Sequence, residues 1–495
     1  MEEKELYNDQ ELVRRAKLSK YEELNIDPFG KAYKVTYHAE DIRKACAKKS
    51  PKSIERMALR VRIAGRIMAI RRMGKASFIN IQDKSGNIQC YIGINDVGEK
   101  QYNLFKMADI GDIVGIEGKV MTTRTGEITI KTLKYTHLVK SLKVLPEKFH
   151  GLTDVEERYR HRYVDLIMNS EAKKVALMRP RIVRAIQHYL DNQGFVEVET
   201  SVLSPILGGA SARPFITHHN TLDKDFYLRI ATELPLKKLL VGGLERVYEI
   251  GRLFRNEGMD TSHNPEFTSV EVYEAFGDLQ SMRRLAEKMI RYTAKTVCGT
   301  TKITYQDKVI DFSKPFRFVS MVDLIKEKTG IDFSKQMSYE EAKALADEHD
   351  IHLDKFKNSF GYIVNEFFEK YCEGELIQPT FVYSYPIEVS PLTKKGKDPR
   401  FTERFELFVN GKELANAYTE LNNPIDQKER FLAQLKAKEL GDDEASEMDD
   451  DFLTALEYGM PPAGGIGMGI DRLCMLLCNQ TSVREVILFP TMRDK

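Results

Sequence analysis

RVYEIGRLFRNEGMDTSHNPEFTSVEVYEA, residues 246–275, is two alternating stretches around a polar middle. Arg246 to Arg255 reads as one strand, Asn256 to Pro265 as a loop, and Phe267 to Tyr273 as the returning strand. Period two places Arg255 and Glu257 on one side, and Phe267, Ser269, Glu271 and Tyr273 on a common side of the return. Fixed charges on strands inside an apolar domain are costly unless something pairs with them. An arginine beside an aromatic at a loop suits a phosphate and a purine ring. The plainer reading pairs Arg255 with Glu271 and binds nothing, and on this stretch alone both stand.

Two further segments carry the same kind of signal. Phe405 to Val409 reads as a strand ending in Asn410-Gly411, a strong type I′ hairpin pair. That turn sets Val409 opposite Lys412 and Phe408 opposite Glu413, so Glu406 lies diagonal to Glu413 on one face. Two such carboxylates repel unless a proton or cation intervenes, and hard oxygen ligands in a nucleotide site suit Mg²⁺. Solvated carboxylates on an exposed edge are the alternative. Strict alternation turns Asn416 and Glu420 away from Glu413, so a bulge near Ala415 is required if all four meet one ligand. The third segment, Gly464-Gly465-Ile466-Gly467-Met468-Gly469-Ile470-Asp471-Arg472, runs glycines into an apolar helix. It is neither a P-loop nor a dinucleotide fingerprint, and taken alone it is better explained by close strand-to-helix packing than by a ligand.

Working outward, 495 residues call for two or more domains. From Leu59 short alternating strands recur: Leu59–Ile63, Phe78–Ile81, Ile88–Ile92, Ile113–Ile116 and Glu127–Ile130. One helix, near Gln101 to Ala108, falls between the third and fourth, as in an OB-type barrel. Arg71, Arg72, Phe78 and Gln89 offer a face for single-stranded nucleic acid, although Phe78 by itself fits barrel core better. A polar helix, Asp9 to Leu24, precedes the barrel. Pro146 to Glu157 reads as a linker. The cluster Arg158-Tyr159-Arg160-His161-Arg162-Tyr163 fits phosphate contact and a salt-bridged helix start equally. The boundaries expected are 1–150 for helix and barrel and 151–495 for a mixed α+β domain, with a mainly helical insertion near 282–372.

Net charge is +1, so any nucleic-acid surface must be local. Six cysteines, none in a CxxC pair, suggest neither a disulfide framework nor zinc. The charged start, Met1-Glu2-Glu3-Lys4-Glu5, and the lack of a long apolar run lead us to expect a cytoplasmic protein away from membranes.

Together the three segments resemble the signature motifs of class II aminoacyl-tRNA synthetases. Phe195 to Pro205 resembles the first motif, a dimer-forming element. Phe254-Arg255-Asn256-Glu257 through Glu271 resembles the second, and Gly467-Met468-Gly469-Ile470-Asp471-Arg472 the third. The strings Gly208 to Phe215, His263 to Thr268 and Ala415 to Leu421 narrow the resemblance to bacterial-type lysyl-tRNA synthetases. It covers nearly the whole chain from about residue 55. The fold it implies is an N-terminal OB barrel followed by a catalytic domain on an antiparallel sheet flanked by helices.

The resemblance also implies roles. Arg255 and Arg472 would be catalytic, at the α-phosphate and triphosphate end of ATP. Glu257, His263, Asn264, Phe267 and Glu406 would complete the ATP site, with Phe267 stacked on adenine. Glu406 and Glu413 would hold Mg²⁺. Gly209, Glu233, Glu271, Tyr273, Asn416 and Glu420 would form the lysine pocket, Glu271 facing either the ε-ammonium or the α-amino group. Arg71, Phe78, Gln89 and Glu127 would read the anticodon of tRNA(Lys). ATP and L-lysine are the implied co-substrates, and a second copy of the chain the implied partner in a homodimer. Within Ala231 to Lys238, Pro235 and Lys238 depart from the family's usual larger residue and arginine.

Chemistry agrees with this reading. The lysine carboxylate is ionised at neutral pH and attacks the ATP α-phosphorus without a protein base. Positioning and charge neutralisation then suffice. A terminal tRNA ribose hydroxyl, the 3′-OH by the class II resemblance, attacks the adenylate next. A buried ammonium must be paired, so glutamates at the pocket's end favour lysine over the aspartate and asparagine enzymes. The barrel disfavours the short paralogues that lysylate a protein. A purely RNA-binding protein would have no use for Arg255, Glu406, Glu413 and Arg472 together.

Overall fold

Alternation becomes a closed barrel in the first of two units, Met1–Gly151 and Leu152–Lys495. The computed structural model describes residues 7–146, 154–353, 357–439 and 447–494. The barrel order is Arg60–Met73, Ala76–Gln82, Asn87–Gly93, Ile128–Val139 and Ile113–Thr122, the last closing on the first. Ile79, Ile81, Ile88, Cys90 and Ile92 point inward to an apolar core, which fixes the register because a one-residue slip would expose them all. The helix Glu99–Lys106 lies between the third and fourth strands of the sequence, where it was expected. Ahead of the barrel, helix Asp9–Glu23 starts on a capping box between Asn8 and Glu11. Its Arg14 donates to the carbonyls of Ile110, Ser141 and Lys143.

The second unit is built on eight strands. Their order is Arg317–Ser320, Thr380–Tyr383, Arg404–Val409, Lys412–Thr419, Ala463–Gly469, Glu266–Ala275, Arg246–Phe254 and Val196–Glu197. The two edge strands pair parallel to their neighbours and every pairing between is antiparallel. Helices Ser170–Asn192, Leu279–Cys298 and Ile470–Leu477 bury one face of this sheet, against Val270, Val272, Phe405, Leu407, Ile466 and Met468. The opposite face is left to carry polar side chains.

The stretch near 282–372, expected as a mainly helical insertion, divides physically. Leu279–Cys298 is amphipathic and packs into the sheet's own core. Arg317–Ser320 is the sheet's edge strand. A separate apolar cluster begins only with helix Met321–Thr329 and includes Tyr339–Glu348 and Phe360–Tyr371. The expected linker, Pro146 to Glu157, falls largely outside the described residues, and so does its domain boundary. Arg158 pairs with Asp165 and Glu485, each at 3.0 Å, and Arg162 with Asp165 at 2.6 Å. That cluster is a salt-bridged helix start. Cys46, Cys90, Cys372 and Cys474 are buried, and all six cysteines are free. Among the described residues no helix is long and apolar enough to cross a membrane.

Candidate active site

The polar face of the sheet reads as rows of opposed residues. One row runs Glu406, Asn416, Gly467, Glu271, Glu249; the next runs Arg404, Tyr418, Gly465, Tyr273, Val247. Along the cavity, strand Ala463–Gly469 supplies Gly465, Gly467 and Gly469 to this face, because Ile466 and Met468 point into the core. A Cβ on Gly465 would run into the Glu420 carboxylate and the Tyr273 ring. The glycines are therefore the floor of a cleft. The hairpin forms as expected, with Asn410 and Gly411 at φ 53° and 67° and Glu413 opposite Phe408. The bulge forms too: Leu407 opposes Ala415 while Phe408 opposes Glu413, so Leu414 is the extra residue. That single residue puts Asn416 on the face of Glu406 and Glu413.

A cavity of about 440 Å³ stands on this floor. At one end lie Arg255, Glu257, His263, Asn264, Phe267, Glu406, Glu413 and Arg472. The Arg255 guanidinium sits 5.1 Å from the centroid of Phe267, and its buried Nε has no hydrogen-bond partner among the described residues. Arg472 donates from Nη1 to the Glu413 carbonyl at 2.6 Å, and its Nη2 lies 3.4 Å from His263 Nε2. Asp260 holds the other ring nitrogen of His263 at 2.8 Å. Burial opposes ionisation of Asp260, but His263 and two backbone N–H groups pull its carboxyl down to about 2. Buried Asp471 accepts from the Thr268 N–H at 2.8 Å and pairs with Arg179, pinning helix Ile470–Leu477 to strand Glu266–Ala275 and to helix Ser170–Asn192.

Glu406 is held on both oxygens: Arg404 Nη2 donates to one at 2.5 Å and the Tyr385 hydroxyl to the other at 2.9 Å. Burial raises its carboxyl to about 7, with Arg404 pulling down and Glu413 pushing up. Glu413 is partly exposed on the same face. One lone pair remains on each Glu406 oxygen, beside a second carboxylate open to the cavity. That donor set suits a hard cation which keeps water and phosphate oxygens as its other ligands.

At the other end lie Gly209, Glu233, Glu271, Tyr273 and Asn416. Arg255 makes no ion pair with Glu271, which instead accepts from the Thr232 N–H and the Tyr273 hydroxyl, each at 3.1 Å. The self-contained pairing weighed from sequence does not form. Burial raises the Glu271 carboxyl. Glu420 is fully buried beneath the wall and is not part of the lining. Its carboxyl is pushed up to about 8, first by burial and then by Glu233 and Glu271, against the pull of Lys237. Pro235 falls in the first turn of helix Glu233–Val241, where its missing N–H is an unused donor anyway, so the helix is intact. Lys238 pairs with Asp451 at 2.7 Å on the outside.

Two of these groups escaped the sequence reading. Arg404 stands two residues before Glu406, hence on its face, and donates from Nε to Asn416 Oδ1 at 3.0 Å. Lys237 stands one helical turn after Glu233 and bonds it at 2.6 Å. Alternation and the i, i+4 rule were the signals for them.

On the barrel, Phe78 is half-buried on the outer face, between Arg71 and Tyr91 in the ladder, with its ring edge-on to Tyr91 at 5.3 Å. Ser77, Ile79 and Ile81 take the inward positions, so Phe78 is not core. Gln89 donates to Glu127 at 2.9 Å and accepts from Thr129 at 2.8 Å on the same surface. Arg72 turns aside to the carbonyls of Lys106 and Ala108.

An antiparallel sheet with motif-borne arginines at one end of a glycine floor, carried on a chain with an OB barrel, defines a class of enzyme. The profile of tRNA synthetases class II (D, K and N) matches residues 154–493, and that of the OB-fold nucleic acid binding domain matches 61–138. The lysine–tRNA ligase of Streptococcus suis is 56% identical over 487 residues, 98% of either chain. That of Bacillus cytotoxicus is 55% identical over 489 residues, 99% of this chain and 98% of its own. That of Lactococcus lactis subsp. cremoris is 54% identical over 494 residues, the full length of both. The chain belongs to the class II tRNA synthetases and, within them, to the lysine–tRNA ligases.

Proposed function

We propose that this chain joins L-lysine to tRNA(Lys) at the expense of ATP, through a lysyl-adenylate, for protein synthesis in the cytoplasm. One observation carries the reading. A single cavity joins an arginine-and-phenylalanine end to an acidic end.

Phe267 and Arg255 clamp adenine and α-phosphate, Arg472 faces the triphosphate end, and Glu257, His263 and Asn264 complete the ATP site. Glu233 and Glu271 receive the ammonium groups at the cavity wall while Glu420 completes the acidic pocket from directly behind it, Gly209 and Tyr273 shape the slot, and Asn416 meets the carboxylate. The carboxylate oxygen attacks the α-phosphorus, the bond to the bridging oxygen breaks, and pyrophosphate leaves. Arg255 neutralises the charge that grows on the α-phosphate oxygens, from a fixed position behind which Asp471 ties helix to strand. No protein group needs to move a proton in this step. Glu406 and Glu413 would hold Mg²⁺, which supplies charge neutralisation on the phosphates. Arg71, Phe78, Gln89 and Glu127 face the anticodon bases. The exposed apolar Val196, Val202 and Leu203, within the first motif, support pairing with a second copy of the chain.

The test is amino-acid-dependent exchange of pyrophosphate into ATP, without tRNA, across all twenty amino acids. Lysine alone should drive it, and exchange driven by aspartate or by none would sink the reading. Phe78→Ala should weaken tRNA charging about tenfold by loss of one stacked base, with lysine-driven exchange unchanged.

A further inference from the structure

The lysine end contains a lysine of the protein's own. Lys237 is fully buried, with Nζ 2.6 Å from Glu233 Oε1 and 2.5 Å from Glu420 Oε2. The Phe452 ring stands 6.0 Å away on another side. Lys237 is not among the residues lining the cavity, so it touches Glu233 and Glu420 from behind the wall. Its span is long: Glu233 opens helix Glu233–Val241, whereas Glu420 follows strand Lys412–Thr419. Glu420 Oε1, turned toward Gly465 and Tyr273, is buried and has no hydrogen-bond donor among the described residues.

Charge counting gives this arrangement a purpose. Glu233, Glu271 and Glu420 all belong to one small volume, and three carboxylates there cannot all stay ionised uncompensated. With lysine bound and all three ionised, one internal ammonium leaves the equivalent of two negative charges. Lysine brings two ammonium groups, and its carboxylate is answered separately at the arginine end. Burial by itself would strip the proton from Lys237, but Glu233 and Glu420 reverse this and hold it charged. The cation is thus a permanent part of the wall.

We propose that Lys237 is a positioning and specificity-setting residue of the amino-acid site. Its buried ammonium fixes the Glu233 and Glu420 carboxylates and cancels one of three negative charges, matching the slot to a diammonium substrate. This rests on the reading of Glu233, Glu271 and Glu420 as the lysine pocket. Without Lys237 the Glu420 carboxyl is no longer fixed and keeps its proton when lysine arrives, so the slot loses the charge that the second ammonium needs.

The experiment uses the full chain and measures lysine-driven pyrophosphate exchange, with lysine binding by calorimetry, for wild type, K237M, E420Q and K237M/E420Q. K237M should raise the KM for lysine about 30-fold or more, as loss of one partner of a buried charge pair does, and leave that for ATP within about twofold. The double variant should bind lysine no worse than the weaker single one, because Lys237 acts through Glu420. A lysine KM within about threefold of wild type, equal losses for lysine and ATP, or multiplying losses in the double variant would overturn the proposal. K237Q is the second variant, read in the same way, should K237M not fold. Failure of both to fold would make Lys237 a fold residue and overturn it too. Wild-type enzyme that shows no lysine-driven exchange would instead overturn the reading of the pocket itself.

Discussion

The two ends of the cavity are built from the same residue types in opposite ways. At the nucleotide end Arg472, Glu413 and His263 are partly exposed, and their contacts to one another run to 3.4 Å. At the lysine end Glu271, Glu420, Tyr273 and Lys237 are buried, and each side chain has at least one contact from a neighbouring helix or strand. A triphosphate with its cation brings much charge and some water, so loosely held arginines can adjust to it. A single alkylammonium must be told apart from other amino acids, and that demands fixed, dry partners. Under the proposed function the wet end would supply rate and the dry end choice.

The sharpest way to break this contrast is Arg255→Ala. Arg255 belongs to the wet end but is itself braced by the strand and stacked on Phe267. Removing a preorganised charge aimed at the reacting phosphate should cut kcat for exchange about 10³-fold, with the KM for lysine little changed. A fall in lysine affinity as large as the fall in kcat would mean the two ends are not separable. Glu420→Gln tests the other side. Steady-state exchange should show the lysine KM rising about 100-fold and that of ATP staying near wild type, since an ammonium loses a buried charged partner. Equal rises would remove Glu420 from the pocket.

Arg404 is where the contrast is bridged. Its guanidinium reaches Glu406 on one side and Asn416 on the other, between the rings of Tyr385 and Tyr418. Arg404→Lys keeps the charge and loses the fork, so both contacts cannot be kept together. We expect the KM for lysine and the Mg²⁺ concentration needed for ATP binding each to rise about tenfold, the latter read by calorimetry. An effect on only one would show that the ends are not joined through this residue.

How much of this was legible beforehand follows from what each feature depends on. The two hairpins and the barrel were legible because alternation and Asn-Gly chemistry are local. So was the need for a bulge, because strict alternation forbade Glu413 and Asn416 from sharing a face. The structure moved it by one residue, to Leu414. Phe78 was misread on composition alone, since a half-buried aromatic on a barrel looks the same from either side until register is known. The helical cluster was set too early, because Leu279–Cys298 is amphipathic whichever apolar layer it meets. The burial of Glu420 depended on a contact between helix and strand nearly two hundred residues apart, and nothing local reports that.

The smallest effect is the one that pH should reveal. Glu420 has a carboxyl raised to about 8, with Lys237 the cation beside it and Glu233, Glu271, Tyr273 and Tyr418 the other titratable groups around it. Below that value the free enzyme carries a proton on Glu420, and a neutral carboxyl is a poor partner for an ammonium. Lysine must therefore displace this proton, and its affinity should increase as pH rises from about 6.5 to 8, then level off. The gain should be several-fold for each pH unit, below the tenfold of a group far from its midpoint because the window runs up to the midpoint itself; a proton given up by Glu271, also raised by burial, adds to it. Calorimetry in buffers of different ionisation heat should record proton release on lysine binding near neutral pH. In Glu420→Gln the release should fall sharply and the affinity should flatten over the same window. ATP affinity, governed by the exposed end, should not follow this curve. If it does, with the same midpoint, the two ends titrate as one site and the division between wet and dry is lost.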